Sequence, residues 1–144
     1  MVAASYSFQR SIFVASGSLG DLATLKRSSA YREVPNSPMH MASIRAAVPI
    51  LPRTLSAMSR LSVEGPRFDI NDQVSSTVAQ TQTPSAVVWD LVLTGVETRW
   101  NINYSLGVYN VLDCQAGYPV SNEFLQTSIP MTGRTFLASA SVTF

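Results

Sequence analysis

The stretch "RWNINYSLGVYNVLD", Arg99 to Asp113, decides how the rest of the chain is read. From Trp100 to Val108 every second residue is large and apolar: Trp100, Ile102, Tyr104, Leu106 and Val108. Asn101, Asn103, Ser105 and Gly107 fall between them. Because side chains along a strand point alternately to opposite faces, this pattern predicts a strand with one apolar and one polar side. The open question is which side meets water. In a soluble sheet the apolar face packs on a core, whereas in a membrane barrel it meets lipid and the polar face lines a lumen.

Composition narrows the choice only slightly. The chain has 144 residues, enough for one domain, with 46% hydrophobic and 9% aromatic residues. Charged residues make up 13%, about half the usual share. Low charge with ordinary hydrophobicity suits a membrane barrel, where only alternate residues face lipid, and also suits a compact soluble β-protein. A net charge of +1 provides no broad field for nucleic acid, so none is expected as a partner. Cys114 is the one cysteine, which excludes an internal disulfide. No run of eighteen apolar residues marks a transmembrane helix. The start, "MVAASYSFQRSIFVASG", lacks the basic and uninterrupted apolar regions of a signal peptide. Its alternation of Tyr6 and Phe8 with Ser5, Ser7 and Gln9 predicts that the chain begins inside a strand.

Five further segments carry the same signature. Residues 3–12 set Ala4, Tyr6 and Phe8 on one face, and residues 40–50 set Ile44, Ala46, Val48 and Ile50 against Ser43, Arg45 and Ala47. Residues 55–64 set Leu55, Ala57, Leu61 and Val63 against Ser56, Met58, Arg60, Ser62 and Glu64. Residues 86–94 set Val87, Trp89, Leu91 and Leu93 against Val88, Asp90, Val92 and Thr94. Residues 134–144 set Phe136, Ala138, Ala140, Val142 and Phe144 against Thr135, Leu137, Ser139, Ser141 and Thr143. Each is about ten residues long, the length of a tilted strand that crosses a bilayer. "LPRT" (51–54) and "GVETR" (95–99) are short links, whereas 13–39, 65–85 and 114–133 are long and rich in Ser, Thr, Gly, Pro and Asn. Such alternation is expected of strands running up and down a membrane. Tyr6, Phe8, Trp89, Trp100, Phe136 and Phe144, near strand ends, suit either an interfacial girdle or a core.

The end of the chain, "LGVYNVLDCQAGYPVSNEFLQTSIPMTGRTFLASASVTF", resembles the C-terminal end of TonB-dependent outer-membrane receptors. There a strand ending in "NLxD" enters a last long loop, followed by "GRTF" and a closing strand with a terminal aromatic. The matching residues here are Asn110 to Asp113, Gly133 to Phe136, and Phe144. "VPNSPMHMASIRAAVPILPRTLS" (34–56) is similar to the family's "NSPxH" stretch, which enters a descending strand before a periplasmic turn. The resemblance covers nearly the whole chain in the family's order. It implies an all-β fold, an antiparallel up-and-down meander of about six transmembrane-type strands forming part of a larger β-barrel, with 1–144 as its C-terminal portion.

The same resemblance implies an orientation. The strands at 3–12, 55–64 and 99–113 ascend and the others descend, so the long loops are extracellular. Tyr6, Phe8, Trp89, Trp100, Tyr104 and Phe136 then face lipid or its interface, as do Ile102, Leu106 and Val108. Arg45, Arg60, Asp90, Asn101 and Asn103 face the lumen, with Ser105, Tyr109, Glu64 and Arg99. Val142 and Phe144 form the closing-strand signal read by the barrel-assembly machinery. Outer-membrane lipid, the remaining strands and the plug are the further implied partners, and the TonB complex acts only through that plug. The family's barrel has about twenty-two strands, and neither plug nor TonB box is expected in these residues. Six strands in an open sheet leave two edges of about five unpaired N–H and five C=O groups each. In hydrocarbon that costs on the order of tens of kcal/mol. The chain therefore reads as a fragment of an uptake barrel in the outer membrane, insoluble or mis-targeted on its own and not expected to transport alone.

Catalysis is not expected. His40 is the only histidine and is read as structural, Cys114 as a free loop thiol, and "NYS" (103–105) as a chance glycosylation match. There is no G-x-S-x-G, P-loop or zinc spacing, and neither cofactor nor metal is expected. Charged residues on the polar faces are read mainly as pairing across the wall. The alternatives are a soluble secreted β-sandwich binding module and a porin-like wall closed by several copies of the chain.

Overall fold

A computed structural model of the chain describes residues 1–14, 31–34, 36–68, 82–120, 126 and 128–143. Ten strands are present and no helix occurs among the described residues. In chain order they are β1 (Val2–Phe8), β2 (Ile12–Val14), β3 (Tyr31–Glu33), β4 (His40–Leu51) and β5 (Leu55–Glu64). They continue with β6 (Ala86–Glu97), β7 (Ile102–Tyr109), β8 (Gly117–Pro119), β9 (Ser128–Pro130) and β10 (Thr135–Val142). Six of them form one antiparallel sheet in the order β1-β4-β5-β6-β7-β10. The remaining four make two small ladders, β2-β3 and β8-β9, each inserted in a long connection. With these set aside, the sheet is a simple up-and-down meander.

All six long strands lie where alternation places them, and their register keeps each apolar set on one side. Ala4 pairs with Ile44, Ile44 with Leu61, and Leu61 with Trp89. Leu93 pairs with Leu106, and Leu106 with Ala138. A shift of one residue at any interface would reverse the faces beyond it; none occurs within the paired spans, apart from an irregularity between Pro49 and Leu51.

Turn chemistry explains the short links. In Leu51-Pro52-Arg53-Thr54 the Thr54 N–H donates to the Leu51 carbonyl at 3.1 Å, with Pro52 second and Arg53 third at φ 66°. Proline presets the second position of such a turn. Arg53 takes the left-handed conformation without glycine's freedom, at a cost of about 1 kcal/mol.

Three sequence expectations need correction at the ends. The link expected at 95–99 is instead a turn over 98–101, because β6 continues to Glu97. Trp100 and Asn101 therefore belong to a turn and not to strand faces, and Asn101 has φ 48°. The first strand, expected over 3–12, stops at Phe8; residues 9–11 leave it, and Ile12 begins β2, which extends into the expected loop and pairs with β3. Asparagine tolerates the left-handed region, so the polar residue that completed the alternation was the one best fitted to end it.

Candidate functional site

The chemistry of the molecule is distributed over two sheet faces and one end. On the apolar face lie Tyr6, Phe8, Ile44, Val48, Leu61, Val63, Trp89, Leu91, Leu93, Tyr104, Leu106, Val108, Phe136 and Val142, as the cross-strand pairs require. Many stand open: Tyr6 is 66% exposed, Leu106 53% and Phe136 72%. Six strands spaced about 4.8 Å apart, with about eight residues each, give a face of roughly 600 Å². That is the upper limit of what a soluble monomer leaves bare. Among the described residues no second layer packs beneath it. The buried aliphatic residues among those described are Ala86, Ala116 and Val120.

Polar groups on the apolar face are few and mostly satisfied within it. The Trp89 Nε1–H donates to Ser59 Oγ at 2.9 Å. Tyr6 Oη lies 2.8 Å from His40 Nδ1, and Phe8 packs against the same imidazole at 5.2 Å between centroids. His40 thus joins an aromatic cluster at the sheet's long-connection end. Gly95 pairs with Tyr104, whose ring lies over it so closely that a Cβ there would come within 2.2 Å of the ring.

The polar face has different traffic. Hydroxyls meet across strands at Ser5–Ser43 (2.9 Å) and Ser105–Ser139 (2.8 Å). Asn103 is exposed on this face, paired with Val96 and Ser141. Near its middle Arg45, Arg60 and Asp90 share one cross-strand row. Arg60 donates through Nε (3.0 Å) and Nη2 (2.7 Å) to Asp90 Oδ2. Asp90, 5% exposed, accepts the Asn110 backbone N–H at its other oxygen, 3.0 Å away. Both carboxylate oxygens are occupied, which makes its burial tolerable.

The end carrying the long connections is built from side-chain clamps. Asn110, 4% exposed and at φ 51°, donates from Nδ2 to the carbonyls of Cys114 (2.9 Å) and Thr132 (3.0 Å). Its Oδ1 accepts the Cys114 N–H at 2.9 Å. Asp113 Oδ1 accepts the Arg134 N–H at 2.9 Å. The first and last residues of "NVLD" therefore hold both ends of the 114–133 connection, which gives that motif a physical reason. A second clamp centres on Arg67, which donates to Asn36 Oδ1 at 2.8 Å, pairs with Glu64, and stacks on Tyr118 at 4.7 Å. It joins residues of three long connections. Sequence reading missed it, because neither spacing nor alternation links positions 36, 67 and 118.

The site residues expected from sequence thus separate. Arg60 and Asp90 are brought together, with Arg45 opposite Arg60 and Asn103 elsewhere on the same face. Trp100 is 64% exposed in its turn, with the Arg99 guanidinium 5.6 Å from its ring. Val142 is exposed on the apolar face opposite Ile102. Phe144 lies outside the described residues. Among the described residues no cluster of three metal-ligating side chains occurs. No family model, curated protein or solved structure matches the chain.

Proposed function

We propose that this chain is a section of an outer-membrane β-barrel wall of the TonB-dependent receptor type, with lipid on its apolar face and a water-filled lumen on its polar face. The supporting observation is a sheet that forms a single layer among the described residues and whose largely apolar face continues across six strands. A soluble domain buries such a face under a second layer; in a bilayer the lipid covers it. The segregation of short turns at one end and clamped long connections at the other supports the same reading. The role is structural: the wall of an uptake pore, completed by further strands, with a plug for coupling and the assembly machinery for insertion. Neither catalysis nor a cofactor forms part of the proposal.

The test uses Trp89 as a reporter, in a Trp100→Phe background, with the chain folded into vesicles. Trp89 lies on the apolar face, so brominated acyl chains should quench it strongly and aqueous iodide weakly. The reverse order would defeat the assignment. A monodisperse monomer unfolding cooperatively in plain buffer would favour a soluble sandwich instead.

A further inference from the structure

The sheet has two outer edges, β1 and β10, and among the described residues no strand pairs with either. Hydrogen bonds at the strand ends show which backbone groups face outward. At β1, Met1 and Ala47 exchange both bonds, and the Gln9 N–H donates to the Met39 carbonyl at 2.9 Å. Odd-numbered residues of β1 therefore bond inward to β4. The even-numbered ones, from Val2 to Phe8, present their N–H and C=O groups outward. At β10 the Thr143 N–H donates to the Asn101 carbonyl at 3.1 Å, so odd-numbered residues again bond inward. Even-numbered residues from Phe136 to Val142 are the outward ones.

On both strands these outward positions carry the side chains of the apolar face. That agreement follows from the number of strands. The hydrogen-bonded row lies on polar positions at β1–β4 and on apolar ones at β4–β5, where the Gly65 N–H donates to the His40 carbonyl. It alternates in this way at each interface, and six strands bring it to the same face at both edges. An odd number of antiparallel interfaces separates β1 from β10, so the two edges run in opposite directions. Neither carries a charged residue, a proline or a bulge, the features that commonly protect an open edge.

We propose that β10 of one copy of this chain pairs antiparallel with β1 of a second copy, from Phe136 opposite Phe8 to Val142 opposite Val2. In that register every outward N–H and C=O of the two strands finds a partner, and the apolar faces join without reversal. Tyr6 stands beside the small Ala138. Ser5 falls beside Ser139, which joins the Ser5–Ser43 and Ser105–Ser139 hydroxyl pairs into one row across both copies. Two β1 edges could also meet, but that pairing turns one copy upside down. The choice of β10 with β1 rests on the barrel reading, in which every copy keeps its long connections on one side of the bilayer. Made at both edges of two copies, the contact closes a ring of twelve strands. That exceeds the roughly eight of the smallest barrels and leaves no edge in hydrocarbon.

The experiment is oxidative cross-linking of the full chain in vesicles, in a Cys114→Ser background. Two separately tagged preparations, one with Ser5→Cys and one with Ser139→Cys, are mixed before folding. In the proposed register these positions are a non-hydrogen-bonded pair with Cα atoms about 4.5 Å apart, within reach of a disulfide. A mixed dimer carrying both tags should form. It should exceed the Ser5→Cys homodimer, which reports the inverted pairing, and the product of Ala3→Cys with Ser139→Cys, which reports a two-residue slip. Ala140→Pro, added to the Ser139→Cys preparation, removes an outward N–H and no bond to β7. It should lower the mixed dimer about tenfold, because the facing carbonyl is left unpaired, and matching far-UV spectra check folding. No mixed dimer, a larger Ser5→Cys homodimer, a larger Ala3→Cys product, or a folded Ala140→Pro variant that cross-links like its parent would overturn the proposal. The barrel reading fails separately, through iodide quenching of Trp89 in the same vesicles.

Discussion

The two faces of the sheet are made by the same strands, yet they solve opposite problems. On the apolar face side chains lie open, and the indole of Trp89 finds its hydrogen bond within the face, at Ser59. On the polar face the stabilising contacts are ion pairs and hydroxyl bridges, and its most consequential residue, Asp90, is the one most removed from water. In the proposed barrel wall, one face meets a surrounding that supplies no hydrogen bonds and the other meets one that does. A single strand period of two is enough to write both. The difference can be broken by moving charge or polarity from one face to the other.

The largest effect is expected at Asp90. Replacing it with alanine removes the acceptor of three N–H donors and leaves the buried Asn110 N–H without a partner. Arg60 is more than half exposed and can turn to water, so the charge term is discounted. The stranded amide and lost bonds should still cost about 3 kcal/mol, read from urea unfolding in detergent. A cost below that of a Ser5→Ala control would show that the hub is ornamental.

The faces themselves are tested by a pair of neighbours. Leu106→Arg should cost roughly 2–4 kcal/mol in a bilayer if the position lies near the midplane, and Ser105→Arg much less. Leu106 is exposed on the apolar face, while Ser105 is half-buried on the polar face and bonded to Ser139. Equal costs at these adjacent positions would erase the distinction between the two surroundings.

The faces were legible in the sequence because a period of two survives at every strand, and register only had to preserve it. The small ladders were not legible: β2 and β9 are three residues long, too short for alternation to register. Nor were the clamps. Asn110 and Asp113 stood out in a motif, but their partners at Thr132 and Arg134 lie some twenty positions away. The turn at Trp100 and Asn101 was hidden by the pattern itself, since both residues fit the alternation they terminate. The Arg45–Arg60 opposition needs the register of two strands, which periodicity leaves undetermined. Local pattern therefore fixed faces, and only pairing revealed which residues stand opposite one another.

A smaller effect should follow from Gly95→Ala. The new methyl would fall within 2.2 Å of the Tyr104 ring, and the ring must swing off the strand to admit it. Overpacking of this kind should cost about 1–3 kcal/mol. Because the contact is the ring itself, Gly95→Ala combined with Tyr104→Ala should recover part of that loss in the same unfolding measurement. No recovery would mean that the glycine serves the backbone rather than the aromatic lying across it.

The smallest expected effect discriminates the surroundings most directly. The Trp89–Ser59 bond joins two of the few polar groups on the apolar face. If that face meets water, each group finds a water molecule once its partner is removed, and the coupling between Trp89→Phe and Ser59→Ala should be close to zero. In hydrocarbon no water replaces the lost partner. The indole N–H stranded by Ser59→Ala then carries its full desolvation cost, and the double-mutant cycle should return about 1 kcal/mol. The cycle is run on the chain in vesicles, with urea unfolding as the readout. A coupling indistinguishable from zero there would mean that water reaches Trp89, and the apolar face would have to be covered by something other than lipid.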